Sequence, residues 1–369
     1  MHKPTLMLAL AIGSTAIASV AQAENSISYQ ALKYHERDDR IDVIGSAVTV
    51  DQDYGTDYHS KVGFDYDSVS GATPIWKAKP GYISEYEKGL TKLADEARNA
   101  VSGSLLVRDQ KRNEYTFGAA WSQEPDFIAR QVSAQAQVYQ DDSHNRSFTI
   151  GSGLMMNTAI ATPHTNHQED EDSRQVSIQA GVTQTIDRTS TAEISLYYGH
   201  DSGFLSNQYL KIVRVDSGTG LSVLSDDDRP DVRTSGGFSA RYIKSIRENL
   251  VGNLFYRYYQ DDWGIKANSI EAKFFYDLSE HWRLNPVLRF HHETAADFYR
   301  AYDDSPNTFA STGYGSNDAR LGEFSASTAQ LNVEFKPTEA WAMNVGVSDY
   351  RQDNGFRASW LTAGLTLKY

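Results

Sequence analysis

The 369-residue sequence contains no cysteine. Disulfides, thiolate zinc sites, cysteine nucleophiles and c-type haem attachment are therefore excluded within this chain. Beyond residue 23 it also lacks any long apolar run, so no membrane-spanning helix is predicted there. If this chain crosses a membrane, it must do so as a closed β-barrel, the remaining structure that pairs every backbone polar group internally.

The sequence has fewer basic than acidic residues, with 35 Lys and Arg, 48 Asp and Glu, and a net charge of −13. This excludes a nucleic-acid partner, because phosphates require a basic surface. Phosphate loops, dinucleotide fingerprints, zinc motifs and the Gly-x-Ser-x-Gly nucleophile turn are absent from the sequence. We therefore expect a protein that is not an enzyme and has no cofactor, with a divalent cation at an acidic outer rim as the exception considered below.

The N-terminus has the pattern of a secretory signal peptide. A basic start at His2 and Lys3 is followed by an apolar run over 6–20 and by Ala21-Gln22-Ala23. This order predicts a signal peptide over residues 1–23, cleaved after Ala23. The remaining residues 24–369 show no linker, so we predict a single domain that is exported through the periplasm to the bacterial outer membrane.

Aromatic residues are abundant, with 22 tyrosines, 12% aromatic content and a mean hydropathy of −0.52. Sixteen segments alternate between apolar and polar residues, and each is long enough for a tilted membrane-crossing strand of about ten residues. The segments are 26–36, 40–51, 56–68, 101–111, 113–123, 127–140, 144–157, 173–187, 190–203, 231–245, 248–261, 265–277, 281–295, 320–336, 340–351 and 357–369. We predict an all-β, antiparallel transmembrane barrel of about sixteen strands, with fourteen to eighteen as the range.

The connections support this fold, because all long gaps fall on one side of the predicted barrel. Short periplasmic turns and long external loops are the rule for outer-membrane barrels. The predicted turns are 52–55, 112, 141–143, 188–189, 246–247, 278–280 and 337–339. The predicted external loops are 69–100, 158–172, 204–230 and 296–319. Leu90, Leu93, Ala94 and Ala97 recur at helical spacing, which leaves a helix within 82–100 open, and loop 204–230 has room for a small hairpin.

The C-terminal segment places Leu361, Ala363, Leu365, Leu367 and the terminal Tyr369 on one face. A last strand that ends in an aromatic residue is similar to the signal recognised by the barrel-assembly machinery. We therefore expect that machinery, together with outer-membrane lipid and lipopolysaccharide, among the partners of this chain.

Three stretches carry a resemblance to a known family: 65–74, 256–265 and 295–299. Together they resemble the bacterial outer-membrane proteins of domain-of-unknown-function family number 3570, over nearly the whole chain beyond the signal peptide. The resemblance implies a barrel and leaves the function open. Its motif residues are Ser70, Gly71, Pro74, Asp261, Asp262, Trp263, Asp297 and Tyr299.

Strand alternation places a mixed set of charged and polar residues on the inner face of the barrel. The set is Asp65, Asp67, Arg108, Arg241, Arg257, Tyr259, Glu271, Lys273, Arg283, Arg289, His291, Glu293 and Glu334. One interpretation is a wet wall whose charges pair across strands. The other is a constriction that selects a solute by charge.

Carboxylates near the external rim are candidates for a divalent cation. Asp65 and Asp67 are unusual within a strand, whereas Asp261 and Asp262 also fit a tight turn before Gly264. In loop 158–172, His164, His167 and Glu169 are candidate metal ligands, and the alternative is a solvated acidic loop.

These patterns favour a porin-like or gated channel for a small polar or charged solute. The alternative is a plugged barrel that serves as a sleeve or docking scaffold for periplasmic or surface proteins. Loops 69–100 and 204–230 are long enough to enter the lumen, and composition alone does not separate the two hypotheses.

Overall fold

The computed structural model describes residues 25–37, 40–80, 82 and 84–369. The predicted signal peptide, residues 1–23, lies outside the described residues. No helix in the described part of the chain has the length and apolar character needed to span a membrane.

Within the described residues, sixteen strands form one closed antiparallel barrel, as the sequence predicts. The barrel strands are β1 (Ser26–Glu36), β2 (Ile41–Tyr54), β3 (Tyr58–Ala78), β4 (Tyr86–Arg108), β5 (Glu114–Glu124), β6 (Phe127–Tyr139), β7 (Arg146–Ala159), β8 (Glu171–Asp187), β9 (Ser190–Gly203), β12 (Val232–Arg247), β13 (Leu250–Asp261), β14 (Lys266–Asp277), β15 (Trp282–Glu293), β17 (Phe324–Thr338), β18 (Trp341–Gln352) and β19 (Arg357–Lys368). The first and last strands pair and close the barrel. The short strands β10 (Lys211–Val215), β11 (Ser222–Asp226) and β16 (Phe309–Ala310) form a separate three-stranded sheet.

The strand register sorts side chains onto two faces. Phe64 lies opposite Val48 on one side and Val101 on the other, and such apolar residues point outward. Many of them are highly exposed, for example Ile44 at 65% and Phe290 at 59%. A water-soluble barrel would cover this surface, so the exterior has the apolar character of a surface that contacts lipid.

The two ends of the barrel differ in the length of their connections. At one end, which we call the turn end, the chain passes between strands at 55–57, 109–113, 140–145, 188–189, 248–249, 278–281 and 339–340. The other end, the loop end, carries the long connections 160–170, 204–231 and 294–323. Residues 204–231 and 294–323 are called the loop cap below.

The prediction for residues 69–100 was wrong. The region forms neither a loop nor a helix, because β3 and β4 continue as a paired hairpin to Ala78 and from Tyr86. β2 pairs with β3 only as far as Gly71, and β5 pairs with β4 only from Asn99. The hairpin therefore projects past the barrel wall. Cross-strand hydrogen bonds satisfy its backbone, and this pairing overrides the helical spacing of a short apolar pattern.

The loop cap has its own small core. β10 pairs with β11 in the hairpin that the sequence left open, and also with β16 from the second long loop. Leu210 and Ile212 are completely buried there. A second cluster of Trp263, Ile265, Ala296 and Leu321 joins the β13–β14 turn to the cap. The cap is therefore a packed structure attached to the barrel wall.

Candidate functional site

A cavity of about 580 Å³ lies between the loop cap and the inner wall of the barrel. The cap contributes residues 204–209 together with Arg229, Arg320 and Leu321. The wall contributes inward-facing side chains of several strands, of which the polar and charged ones are Glu124, Ser173, Arg233, Arg257, Tyr259, Ser269, Arg289, His291 and Glu293. The site thus combines predicted lumen residues with cap residues that are distant in sequence.

Buried ion pairs join the two loops of the cap to each other. Arg229 contacts Asp227 at 2.7 Å and Asp318 at 2.8 Å, and both carboxylates have 0% side-chain exposure. Arg320 also pairs with Asp318, at 2.5 Å. Burial by itself would lower the pKa of Arg229, but the carboxylates of Asp227 and Asp318 outweigh it and the pKa is raised. Arg229 therefore stays charged, and the network connects the two loops of the cap.

The second and third family-like stretches meet at the base of the cap. Trp263 packs edge-on against Phe298, with ring centroids 5.2 Å apart. Its carbonyl oxygen accepts a hydrogen bond from the backbone N–H of Asp297 at 2.9 Å. Gly264 has a φ of +91°, and an added Cβ there would meet the Asp297 carboxylate. Tyr299 packs against the same apolar cluster. The motif residues thus anchor the cap to the β13–β14 turn.

Asp261 forms contacts both with the β13–β14 turn and with side chains of the barrel wall. Its Oδ1 accepts hydrogen bonds from the backbone N–H of Trp263 and of Ile265, each at 3.0 Å. Its Oδ2 pairs with Arg233 at 2.5 Å and accepts from the Tyr259 hydroxyl at 2.8 Å. Both oxygens are therefore engaged within the protein. The neighbouring Asp262 accepts from Thr234 N at 2.9 Å.

The first family-like stretch lies on β3. Asp65 and Asp67 face inward, and Asp67 pairs with Arg98 at 2.6 Å. Ser70, Gly71 and Pro74 lie farther along β3, where the hairpin leaves the wall. The hairpin then reaches the cap, since Trp76 Nε1 donates to Asn317 Oδ1 at 3.0 Å and packs 5.2 Å from the Tyr302 ring.

The register places all predicted lumen residues on the inward face, but their surroundings differ. Besides Asp67, three of them form ion pairs with partners near the turn end: Arg108 with Glu114 at 2.8 Å, Arg283 with Asp277 at 2.5 Å, and Glu334 with Lys336 at 2.9 Å. Arg241 stacks on Phe255 and Lys273 on Phe275. Glu271 lies opposite Arg289 in the register.

Arg257 and Arg289 are different, because both are exposed to the cavity and neither forms an ion pair within the described residues. Arg257 stacks 4.6 Å from the centre of the Tyr197 ring, and its Nε donates to the Tyr197 hydroxyl at 3.0 Å. An Nη of Arg289 reaches Ser269 Oγ at 3.5 Å. Among the described residues, no carboxylate pairs with the remaining N–H groups of either side chain, so these groups are available to a solute.

A row of three hydrogen-bonded side chains lies beside Arg257 and Arg289. Ser269 Oγ is 2.8 Å from His291 Nδ1, and His291 Nε2 is 2.9 Å from Glu293 Oε2. These residue types also form acyl-transfer triads, in which the nucleophile commonly stands on a sharp turn. Ser269 lies within the extended strand β14 and not on such a turn, and its Oγ is also the atom that Arg289 reaches.

The predicted metal ligands of loop 158–172 are not brought together. His167 Nδ1 lies 2.7 Å from the Glu169 backbone oxygen and its Nε2 lies 3.2 Å from Gln208 Oε1. The backbone N–H of His164 donates to Thr162 at 3.3 Å. In the part of the chain that the structure describes, no group of three His, Asp or Glu side chains is arranged to hold a metal ion. His167 instead ties this loop to the cap.

Sequence reasoning missed two kinds of residue. Arg233, Ser269 and Tyr197 obey the same strand parity as the predicted set and could have been included with it. The cap residues Arg229 and Asp318 carry no such signal, because their contact joins positions 89 residues apart.

The comparison with protein families agrees with the sequence resemblance. The profile of the family described as "Protein of unknown function (DUF3570)" matches residues 5–366. The chain belongs to the DUF3570 family. No curated protein sequence matches it at a significant level.

Among solved structures, this DUF3570 protein is similar to barrels of the outer membrane. The OpdQ protein of Pseudomonas aeruginosa has a TM-score of 0.45 at 9% identity, covering 95% of this chain and 99% of that one. A bacterial polysaccharide outer membrane secretin has a TM-score of 0.48 at 8% identity, covering 95% and 99%. The ferric enterobactin receptor of Pseudomonas aeruginosa has a TM-score of 0.45 at 10% identity, and the match covers 90% of this chain and only 54% of the receptor. Similarity this low says nothing about function.

Proposed function

We propose that this protein is a porin-like channel of the bacterial outer membrane that passes a small charged solute through a lumen narrowed by the loop cap. The apolar exterior supports the membrane location. Exposed aromatic side chains lie near the turn end, where the lipid headgroups of one leaflet would begin. They include Tyr54, Tyr58, Tyr276, Trp282, Trp341 and Tyr369.

The observation that carries the proposal is the cavity beneath the cap. A barrel of about sixteen strands is too wide for its own side chains to fill, and the space left is normally aqueous. Here Arg257 and Arg289 extend into that space, exposed and without an ion-pair partner in the part of the chain that the structure describes. Charged groups that face water in a restricted lumen are the physical basis of charge selection.

The test is single-channel conductance of the purified, refolded chain in a planar bilayer. We expect steady conductance steps with a preference for anions, and Arg289→Ala should reduce this preference without preventing folding. Arg146→Ala removes the same charge at the start of β7, where its partners are Gln184 and Gln140, and should change little. Folded protein that never conducts would contradict the proposal.

A plugged docking barrel is the second candidate, and the packed cap favours it. The β3–β4 hairpin, the three-stranded sheet and the buried Arg229 network together form a cover attached at several points. This second function would be supported if the full chain showed no conductance and a variant with a shortened cap did conduct. Conductance of the full chain would exclude a permanent plug.

A further inference from the structure

We propose that the cavity under the loop cap binds a small organic anion, with its carboxylate or phosphate group held between Arg257 and Arg289. This deepens the proposed channel function and rests on it for its biological meaning. The binding itself is a property of the folded barrel and can be measured without transport.

Charge at the cavity surface has the opposite sign to charge on the whole protein. The net charge of the chain is −13, yet five arginines and only two glutamates line the cavity. The glutamates are Glu124 and Glu293, and Glu293 is directed at His291. An anion entering this space therefore meets mostly guanidinium groups.

The carboxylates that balance three of these arginines lie behind them. Asp227, Asp261 and Asp318 have 0% side-chain exposure, and none of them lines the cavity. Arg233 and Arg320 keep 25% and 44% of their side-chain surface exposed while their partners stay buried, whereas Arg229 is itself only 8% exposed. The positive potential at the surface survives this pairing because the negative charges are farther from the solute.

Arg257 and Arg289 supply the free donors. Ser269 lies directly across the ladder from Arg257, and its Oγ is also the atom that Arg289 reaches at 3.5 Å. Arg257 on β13 and Arg289 on β15 therefore stand on the two strands that flank Ser269, and both line the cavity. Planar guanidinium groups match the two oxygens of a carboxylate, and they also bind phosphate oxygens. Stacking on Tyr197 fixes the plane of Arg257, which reduces the entropy lost on binding.

The rest of the cavity favours an organic anion over a simple inorganic one. Apolar side chains line the side formed by the cap and the upper wall, namely Phe127, Phe204, Leu205, Ile265 and Leu321. A volume of about 580 Å³ is large enough for a ring or short chain as well as the acidic group. Pockets for small molecules combine such an apolar lining with a few polar groups that set the orientation.

The test is isothermal titration calorimetry on the folded full-length protein in detergent. The probes are benzoate, phenyl phosphate, inorganic phosphate and benzylammonium. We expect benzoate or phenyl phosphate to bind more tightly than inorganic phosphate, and benzylammonium not to bind. Comparison of the first two probes shows whether carboxylate or phosphate is preferred.

Variants connect binding to the two arginines. Arg257→Ala and Arg289→Ala should each weaken binding by about tenfold or more, the order expected when a charge-assisted hydrogen bond is lost. Arg146→Ala should leave binding unchanged, and faster migration of unboiled protein on a gel confirms that each variant is folded. Equal binding of the cationic and anionic probes, or unchanged binding in both cavity variants, would overturn the inference. Binding without conductance would overturn only the channel proposal, and conductance without binding only this inference.

Discussion

At the scale of single residues, the role of an inward-facing charged side chain depends on whether it forms an ion pair. Arg283 and Arg289 lie on the same strand and the same face. Arg283 forms an ion pair with Asp277 at 2.5 Å, whereas the one side-chain hydrogen bond of Arg289 among the described residues is with Ser269. A paired charge stabilises the wall, and an unpaired one remains available to a solute, so strand parity narrows the set of functional residues without choosing among them.

Asp318 is the residue whose loss should loosen the cap. The change Asp318→Asn removes a buried charge that contacts Arg229 at 2.8 Å and Arg320 at 2.5 Å. Breaking a buried ion pair from one side costs about 3–5 kcal/mol when the remaining charge has no other partner. The cost here should be smaller, because Arg229 keeps its contact with Asp227 at 2.7 Å. We expect faster hydrogen exchange of backbone amides in residues 204–231, with the barrel strands unaffected.

Asp303→Asn is the matched control for this change. Asp303 lies in the same loop as Asp318, residues 294–323, but its side chain is 86% exposed. Its contact with Lys88 is 3.5 Å long. Exposed pairs of this kind contribute little, so exchange should be unchanged. Equal exchange rates in the Asp318 variant and the parent protein would show that the network does not hold the cap.

At the scale of elements, the β3–β4 hairpin behaves as part of the cap. Trp76 is buried against Tyr302 and donates to Asn317 from a strand that belongs to the barrel. Burial raises the pKa of Tyr302, and the nearby carboxylates of Asp318 and Asp227 raise it further, so its hydroxyl remains protonated. One continuous strand therefore links the membrane wall to the loops above the lumen.

The change Trp76→Ala should release the hairpin from the cap. Truncation of a buried tryptophan costs about 3–5 kcal/mol, and here the hydrogen bond to Asn317 is lost as well. We expect protease cleavage in residues 79–85 to become faster while heat-modifiable gel migration is retained. Tyr82→Ala changes an exposed aromatic at the hairpin tip and should not have this effect. Unchanged cleavage in the Trp76 variant would mean that the hairpin is held elsewhere.

At the scale of the whole molecule, closure of the barrel is the decisive feature. β1 pairs with β19 from Ser26 to Glu36, so the sheet has no exposed edge. Tyr369 follows β19, with its backbone N–H bonded to Asn25 O at 3.0 Å and its hydroxyl bonded to Gln52 at 2.9 Å. Tyr369 is therefore bonded to Asn25, directly before β1, and to Gln52 in β2.

Tyr369→Ala should lower assembly in the outer membrane. An exposed terminal aromatic is the proposed recognition feature for the assembly machinery, and its hydrogen bond to β2 also supports closure. The measurement is the yield of heat-modifiable protein in the outer-membrane fraction. Tyr314→Ala, an exposed tyrosine of the loop cap, is the control and should leave the yield unchanged. Undiminished yield of the Tyr369 variant would remove the role assigned to this residue.

The number of barrel strands, the inner face of the clearly alternating strands and the end that carries the long loops could be predicted from the sequence. The reason is local: side chains alternate along a strand, so residues such as Gln131 and Val132 report their own faces. The same rule predicted that Arg257, Arg289 and His291 face inward. It failed at 69–100, where a short pattern compatible with a helix forms a paired hairpin instead.

Only the tertiary structure decided what covers the lumen and which charges are free. The contact of Arg229 with Asp318 spans 89 residues and that of Trp76 with Asn317 spans 241, distances over which periodicity carries no information. Whether Arg289 finds a carboxylate depends on neighbours from separate strands and from the cap. The face of a strand to which a side chain belongs is set locally by the alternation along that strand. The partner of a charged side chain depends on how distant segments of the chain pack together.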